Sequence, residues 1–164
     1  MNKTIVSTSA APAAIGPYSQ GVRVGDLFFF SGMIPIDPAT GALVGEDAPA
    51  QAEQVCRNIR ARLAAASLTP AHIVKTTVFL TDLSAFAAVN EVYARLFDSV
   101  PPARSCVEVA ALPKGALVEI ECVAALCRPP ERARPRRARR IMAAAHKNVA
   151  EKTNCRNARL TFSG

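Results

Sequence analysis

The sequence predicts an α+β or α/β fold in which two helices pack on one face of a single sheet. The chain has 164 residues, about the size of one domain, and half of them are apolar. Two segments carry apolar residues at helical spacing, and six shorter segments have the composition of strands, in the order β-β-β-α-β-α-β-β. Helices interleaved in this way return the chain to one sheet and cover one of its faces. The other face therefore needs a different cover.

The first helix is predicted to follow Asp47, a suitable N-cap, with Pro49 in its first turn, and to end near Ser67. Its apolar side recurs at helical spacing through Ala52, Val55, Cys56, Ile59 and Leu63. Three arginines are expected to lie away from that side, namely Arg57, Arg60 and Arg62. The segment is thus predicted to be amphipathic.

The second helix is expected between Asp82 and the Pro101-Pro102 pair, where a helix must stop. Strand signals occupy residues 4–7, 22–24, 27–31, 73–80, 105–109 and 117–126. Gly25-Asp26 is a candidate for the hairpin turn between the second and third strands. Both helices are expected to lie over the same core.

The last strand alternates and so predicts what each sheet face contacts. Its apolar side comprises Val118, Ile120, Cys122, Ala124 and Leu126. The opposite side mixes two carboxylates with apolar residues, in the order Leu117, Glu119, Glu121, Val123 and Ala125. A half-apolar face of this kind predicts contact with another subunit. We expect a homo-oligomer with Arg104 and Glu119, presented from adjoining strands, in a cleft between chains.

The positive charge of the chain is confined to its C-terminal part. Residues 1–127 contain nine Lys and Arg against eleven Asp and Glu, a net charge of −2, whereas residues 128–164 contain eleven against two, a net charge of +9. We therefore expect a folded domain over 1–127 and a basic, disordered extension over 128–164. Nucleic-acid binding is predicted only through that extension.

Several classes of protein are not supported by the sequence. It lacks an apolar run long enough for a membrane helix and an N-terminal secretory stretch, so a cytoplasmic location is expected. The five cysteines show no CxxC spacing and are expected to be reduced. His72 and His146, the only histidines, lie far apart, and no phosphate-binding glycine motif is present. Metal, nucleotide and serine-hydrolase chemistry are therefore not expected.

Four motifs remain, IGPYSQGV (15–22), FSGMIP (30–35), KTTVFLTDLSAFAAVNEVYARLF (75–97) and PPARSCVEVAALPKGALVEIE (101–121). In this order and spacing they resemble the RidA/YjgF family of reactive-intermediate deaminases. The resemblance implies a chorismate-mutase-like α+β subunit, a homotrimer, and active sites in the clefts between subunits. It also implies hydrolysis of 2-aminoacrylate and related 2-imino acids to 2-keto acids and ammonia, without a cofactor or a metal.

The resemblance assigns roles to individual residues. Arg104 is implied to bind the substrate carboxylate, for which the planar fork of arginine is suited. Glu119 is implied to hold and polarise the attacking water. Tyr18 is implied to close the cleft over the substrate. Further contacts are implied for Ser31, Gly32 and Cys106.

Asn90 is predicted to be structural, through a bond to neighbouring backbone. Met33 stands where the family usually has glutamine, a departure that is expected to alter pocket polarity. The resemblance leaves a second hypothesis open, because relatives of this fold include translation inhibitors, ribonucleases and chaperone-like proteins. The chain is then an RNA-binding or chaperone-like module.

Overall fold

The computed structural model describes residues 2–98 and 100–126. These residues form a six-stranded mixed sheet and two α-helices, so the predicted fold class and element order are confirmed. The strands are β1 (Lys3–Val6), β2 (Gly21–Val24), β3 (Leu27–Met33), β4 (Ile73–Leu80), β5 (Ala103–Glu108) and β6 (Val118–Ala125). The helices are α1 (Ala48–Ala65) and α2 (Phe86–Ala94). The predicted tail over 128–164 lies outside the described residues, and no described helix is long and apolar enough to cross a membrane.

The strands lie in the order β1-β2-β3-β6-β4-β5. All neighbouring pairs are antiparallel except β4 and β5, which are parallel and are connected through α2. The turn between β2 and β3 is the predicted Gly25-Asp26 pair, and Gly25 has φ +61°, a value that glycine adopts without steric cost. This order places β5 at one edge of the sheet and β6 near its middle.

Helix α1 begins as predicted, because the Asp47 carboxylate accepts a 2.8 Å hydrogen bond from the backbone N–H of Ala50. The helix ends at Ala65, two residues before Ser67, which has φ +58°. Its apolar side packs on the sheet in the main core. Arg57 and Arg60 are exposed as predicted. Arg62 also lies away from the apolar side, but unlike the other two arginines it is buried, with only 3% of its surface exposed.

A second buried stripe on α1 is polar and bonds to backbone outside the helix. Its members, spaced by three, four and four residues, are Gln51, Gln54, Asn58 and Arg62. The side chain of Asn58 donates to the carbonyl of Ile36 over 2.9 Å, and the side chain of Gln51 accepts from the N–H of Leu117 over 2.7 Å. Irregular backbone has no strand partner, so these side chains satisfy it. The stripe thereby fixes the loops beside α1.

The main core lies between the helices and one face of the sheet. The helix-facing residues of β6 are buried as the alternation predicted, namely Val118, Ile120, Cys122 and Ala124. Helix α2 follows a 3₁₀ turn (Leu83–Ala85) whose N-cap is Asp82. The hydroxyl of Tyr93 on α2 shares a 2.7 Å hydrogen bond with Thr76 of β4. This bond ties α2 to the sheet beside the edge strand.

The opposite face of the sheet carries large apolar side chains that the chain itself leaves open. Four of them are between 42% and 51% exposed, namely Ile5, Leu27, Phe29 and Val107. Strand registers align them with Glu119 and Glu121 on the same face. We call this set of residues the open face.

Candidate active site

Strand β3 is interrupted where it carries the motif serine and glycine. Phe30 pairs with Cys122 and Met33 pairs with Ile120, so two residues of β3 oppose one residue of β6 between these pairs. The extra residue makes a β-bulge at Ser31 and Gly32. The Ser31 hydroxyl donates to the carbonyl of Ser19 over 2.7 Å, which ties the bulge to the segment before β2.

Gly32 lies directly against the carboxylate of Glu119. A Cβ at position 32 would lie 2.8 Å from Cδ and 3.1 Å from Cγ of Glu119, and closer still to Oε1. A side chain at this position would therefore displace the carboxylate.

A cavity of about 300 Å³ opens at this point. Four of the six predicted site residues line it, namely Tyr18, Ser31, Gly32 and Glu119. Further lining comes from Pro12, Ala13, Ile15, Met33, Ile34, Ile36, Arg62 and Pro113. The Tyr18 ring is 43% exposed, and its hydroxyl accepts a 3.2 Å bond from the N–H of Ile15. The walls are mostly apolar, and the Glu119 carboxylate and the Tyr18 phenol are polar groups among them.

The surroundings of Glu119 shift its titration. Burial in the cavity raises the pKa of this carboxyl above its usual range, and the negative charge of Glu121 raises that pKa further. Both effects disfavour the charged form. A carboxylate with a raised pKa is a better proton acceptor than an ordinary glutamate once it is ionised.

Arg104 lies elsewhere, on the edge strand β5. Its Nη1 donates a 2.7 Å hydrogen bond to Oδ1 of Asn90 on α2. The guanidinium also stacks over two aromatic rings, 4.8 Å from the centre of Tyr93 and 5.5 Å from that of Phe86. Asn90 was predicted to bond neighbouring backbone, and its side chain instead holds this arginine. The guanidinium is thus oriented by α2 while the residue stays exposed.

Arg104 and Glu119 point to opposite sides of the sheet. Arg104 is in register with Thr76, whose side chain faces the helices, and Glu119 is in register with Phe79 of the open face. The prediction that the two come from adjoining strands is wrong, because β4 lies between β5 and β6. A single chain therefore does not bring this arginine and this carboxylate together.

Cys106 lies on the same strand and the same side of the sheet as Arg104, and not with Glu119 in the cavity. It lies two residues further along β5, on the same side, and packs partly buried against the main core. Burial raises the pKa of its thiol, and the charge of Arg104 only partly opposes that rise. The thiol is therefore protonated at neutral pH, which is unfavourable for a nucleophile.

Comparison with known proteins identifies the family. The family model described as Endoribonuclease L-PSP matches residues 8–126. The 2-iminobutanoate/2-iminopropanoate deaminase of Salmonella typhimurium is 54% identical over 127 residues, which cover 76% of this chain and 98% of that protein. The chain belongs to the RidA/YjgF family.

Solved structures of the RidA/YjgF family share the fold. The crystal structure of YyfA, a Rid-family protein of Yersinia pestis, superposes with a TM-score of 0.74 at 49% identity and covers 76% of this chain and all of that one. The crystal structure of E. coli TdcF with bound serine gives a TM-score of 0.72 at 47% identity and covers 75% and 98% of the two chains. At these sequence identities, the structural similarity reflects membership of the same family and not only a shared fold.

Two further residues line the cavity of this RidA/YjgF protein. Met33, which replaces the usual glutamine, is 2% exposed, so its thioether contributes buried apolar surface. Arg62 also lines the cavity, and sequence reasoning missed it. The available signal was the spacing of Gln51, Gln54 and Asn58, which continues to Arg62 as a polar stripe on α1. Among residues 2–98 and 100–126 no cluster of three metal-ligating side chains occurs.

Proposed function

We propose that the protein is an enamine/imine deaminase that hydrolyses 2-aminoacrylate and related 2-imino acids to 2-keto acids and ammonia. One observation carries the proposal: the cavity of the chain holds a carboxylate, Glu119, and the edge strand exposes a guanidinium, Arg104, that Asn90 holds in one orientation. The deaminase name of the Salmonella relative supports it. We place the activity in the cytoplasm, where free thiols such as those of Cys56, Cys106 and Cys122 persist.

The active protein is proposed to be a homotrimer with its sites between subunits. Arg104 and Glu119 lie on opposite sides of one sheet, so a substrate that contacts both needs Arg104 from one chain and Glu119 from the next. A contact between two different surfaces closes into a ring, and three copies are the family's expected number. The open face supplies the apolar surface to bury in such an assembly.

Substrate binding is assigned to Arg104. Its fork can give two parallel hydrogen bonds to the carboxylate of an imino acid, each contributing about 1.5–3 kcal/mol. Asn90 and the two rings hold the guanidinium in one orientation before the substrate arrives, which lowers the entropy cost of binding. The serine bound to TdcF supports a site of the right size for a small amino-acid skeleton.

The reaction follows from Glu119 and one water. The enamine 2-aminoacrylate first takes a proton from solvent on its CH2 carbon, and its nitrogen lone pair then forms the protonated C=N group. The water oxygen bonds to the carbon of this group, and the π-electron pair moves to nitrogen. Glu119 accepts a proton from the water and passes it to that nitrogen. The C–N bond of the resulting carbinolamine then breaks, ammonia leaves with the electron pair, and loss of the hydroxyl proton leaves a C=O group.

Such a site needs few ionisable groups because imines of this kind also hydrolyse unaided. Positioning the substrate and one water therefore accounts for most of the proposed acceleration. Tyr18 stands at the exposed rim of the cavity, where its ring can cover the bound substrate. No step calls for a metal or an organic cofactor.

Two inactive variants test both the chemistry and the assembly. Aminoacrylate generated by a pyridoxal-phosphate dehydratase is supplied, and release of pyruvate and ammonia is followed. Arg104→Ala and Glu119→Gln are each expected to lose activity. Unfolding and refolding an equal mixture of the two should restore about one quarter of the wild-type rate, because one site in four then receives Arg104 and Glu119 intact.

The outcomes of this mixing experiment separate the two parts of the proposal. A wild-type protein that gives no acceleration over the uncatalysed reaction contradicts the deaminase function. Active wild type with no recovery in the mixture contradicts sites shared between chains. Each variant refolded alone serves as the control for the mixture.

A second candidate function is RNA binding, favoured by the family description Endoribonuclease L-PSP and by the net charge of +9 over residues 128–164. It predicts a salt-dependent mobility shift of RNA that is lost when residues 128–164 are deleted. A shift that survives the deletion excludes the tail as its cause. Deaminase activity is expected to be the same with and without the tail.

A further inference from the structure

Arg62 is a buried cation in the wall of the cavity. It lies in the last turn of α1 and is 3% exposed. Burial lowers the pKa of its guanidinium, but arginine stays protonated in proteins, so the charge remains. The ion pairs found among the described residues join Glu53 to Arg57 and Arg95 on the outside of the helices. No carboxylate of the described residues pairs with Arg62.

The guanidinium binds backbone carbonyls from separate parts of the chain. Nη1 donates to the carbonyl of Gln20 over 3.1 Å and to that of Ser31 over 3.0 Å. Nη2 makes a longer contact of 3.5 Å with the carbonyl of Pro12. The buried Nε has no hydrogen-bond partner among the described residues. Arg62 thus joins the N-terminal segment, the start of β2 and the bulge of β3.

Burial of the Arg62 charge is unfavourable for folding, and packing of α1 against the sheet does not by itself require a charge at this position. A buried charge without a counter-ion is unfavourable, and an apolar side chain of similar length would seat α1 against the sheet. Such a side chain would remove the donor that Arg62 gives to the carbonyl of Ser31, and would leave the carbonyl of Gln20 with only the 3.2 Å bond from the N–H of Ser31. The benefit of Arg62 therefore lies in the position of the backbone that it holds.

The backbone that Arg62 binds is adjacent in sequence to residues of the proposed active site. Ser31 precedes Gly32, and the Glu119 carboxylate fits only because position 32 has no Cβ. On the other wall, Gln20 and Pro12 flank the segment that carries Tyr18. A shift of the bulge relative to this segment would move both Gly32 and the space left for the carboxylate.

We propose that Arg62 is a positioning residue for the deaminase reaction. It clamps the bulge at Ser31 to the Pro12–Gln20 side of the cavity and so keeps Glu119 aligned with the substrate. The proposal rests on the proposed deaminase function. Arg62 touches neither the substrate nor the water in this scheme, and acts through the backbone.

The test compares Arg62→Met with Arg60→Met, a matched control on the same helix. Arg60 is exposed and donates to the carbonyl of Arg95, away from the cavity. In Arg62→Met, kcat per folded active site is expected to fall roughly 10- to 100-fold at a temperature well below unfolding. KM should change much less, because the carboxylate holder Arg104 is untouched. Arg62→Lys, which keeps the charge and some donors, should recover part of kcat.

A readout independent of turnover accompanies the kinetics. Amide hydrogen exchange over residues 12–20 and 31–33 is expected to accelerate in Arg62→Met and to stay unchanged in Arg60→Met. Wild-type kcat in Arg62→Met, or exchange no faster than in wild type, overturns the proposal. If Arg62→Met does not fold, Arg62→Gln, which removes the charge and most of the donors, takes its place, and wild-type kcat or exchange in that variant overturns the proposal. A wild-type protein without deaminase activity refutes the proposed function. The exchange data then still test whether Arg62 holds the bulge at Ser31 against the Pro12–Gln20 segment.

Discussion

The carboxylate of Glu119 occupies the space in which a side chain at position 32 would begin. The two residues come from β6 and β3, which pair on either side of the β-bulge. The bulge and the glycine together make room for a carboxylate beside the cavity. The contact joins two motif residues that are 87 positions apart in the sequence, and a substitution at position 32 can test it.

Gly32→Ala is expected to reduce kcat by roughly 100-fold, because the added methyl group displaces the carboxylate from its place. Dehydratase-coupled pyruvate release measures the effect. Gly16→Ala is the control, since a Cβ there would meet the Tyr18 ring at an ordinary 3.6 Å. Near-normal kcat in Gly32→Ala would show that the reaction does not depend on this position of Glu119.

Asn90→Ala is expected to raise KM by roughly 10-fold and to leave kcat within a factor of a few. Removal of the 2.7 Å hydrogen bond frees the Arg104 guanidinium to leave its orientation over the Tyr93 ring. Binding of the carboxylate is then weakened equally before and during the reaction. Initial rates over a range of substrate supply give both constants. A change confined to kcat would assign Asn90 to the chemical step.

The pH dependence of kcat/KM is expected to report Glu119. The proposed mechanism needs the ionised carboxylate, so activity should fall on the acid side. The raised pKa of Glu119 places that fall at a higher pH than for an ordinary glutamate. Glu121→Gln removes a charge that raises this pKa, and should move the acid limb to lower pH. An unchanged limb in Glu121→Gln would mean that another group controls it.

Phe29→Asp is expected to dissociate the proposed oligomer and to abolish activity, because it places a charge in the apolar open face. Sedimentation velocity measures the first effect and the coupled assay measures the second. Val100→Asp is the control, as Val100 is 87% exposed in a loop outside the sheet. Retention of the oligomer in Phe29→Asp would exclude this face from the subunit contact.

Asp47→Ala is expected to lower the free energy of unfolding by about 1 kcal/mol through loss of the α1 N-cap. Chemical denaturation followed by circular dichroism gives the value. Asp47→Ser retains a side-chain acceptor and should lose much less. Equal losses in the two variants would argue against capping as the source of the stability.

Much of the fold followed from patterns that are local in the chain. The Asp47 cap, the helical spacing of α1 and the alternation of β6 each depend on residues a few positions apart, and the structure confirms them. The four motifs likewise predicted the family, because they are themselves contiguous stretches of sequence. These features need no knowledge of how distant segments pair.

Local patterns of residues were enough to predict the order of elements, the apolar side of each and the residue types available for chemistry. The packing of distant segments was needed to show that β4 separates Arg104 from Glu119, that the two face opposite sides, and that Asn90 holds Arg104. It also decided that Arg62 is buried. The physical reason is that periodicity specifies which side of a strand or helix is apolar. Which strands become neighbours, and which buried carbonyls need a donor, depends on contacts between residues far apart in the chain.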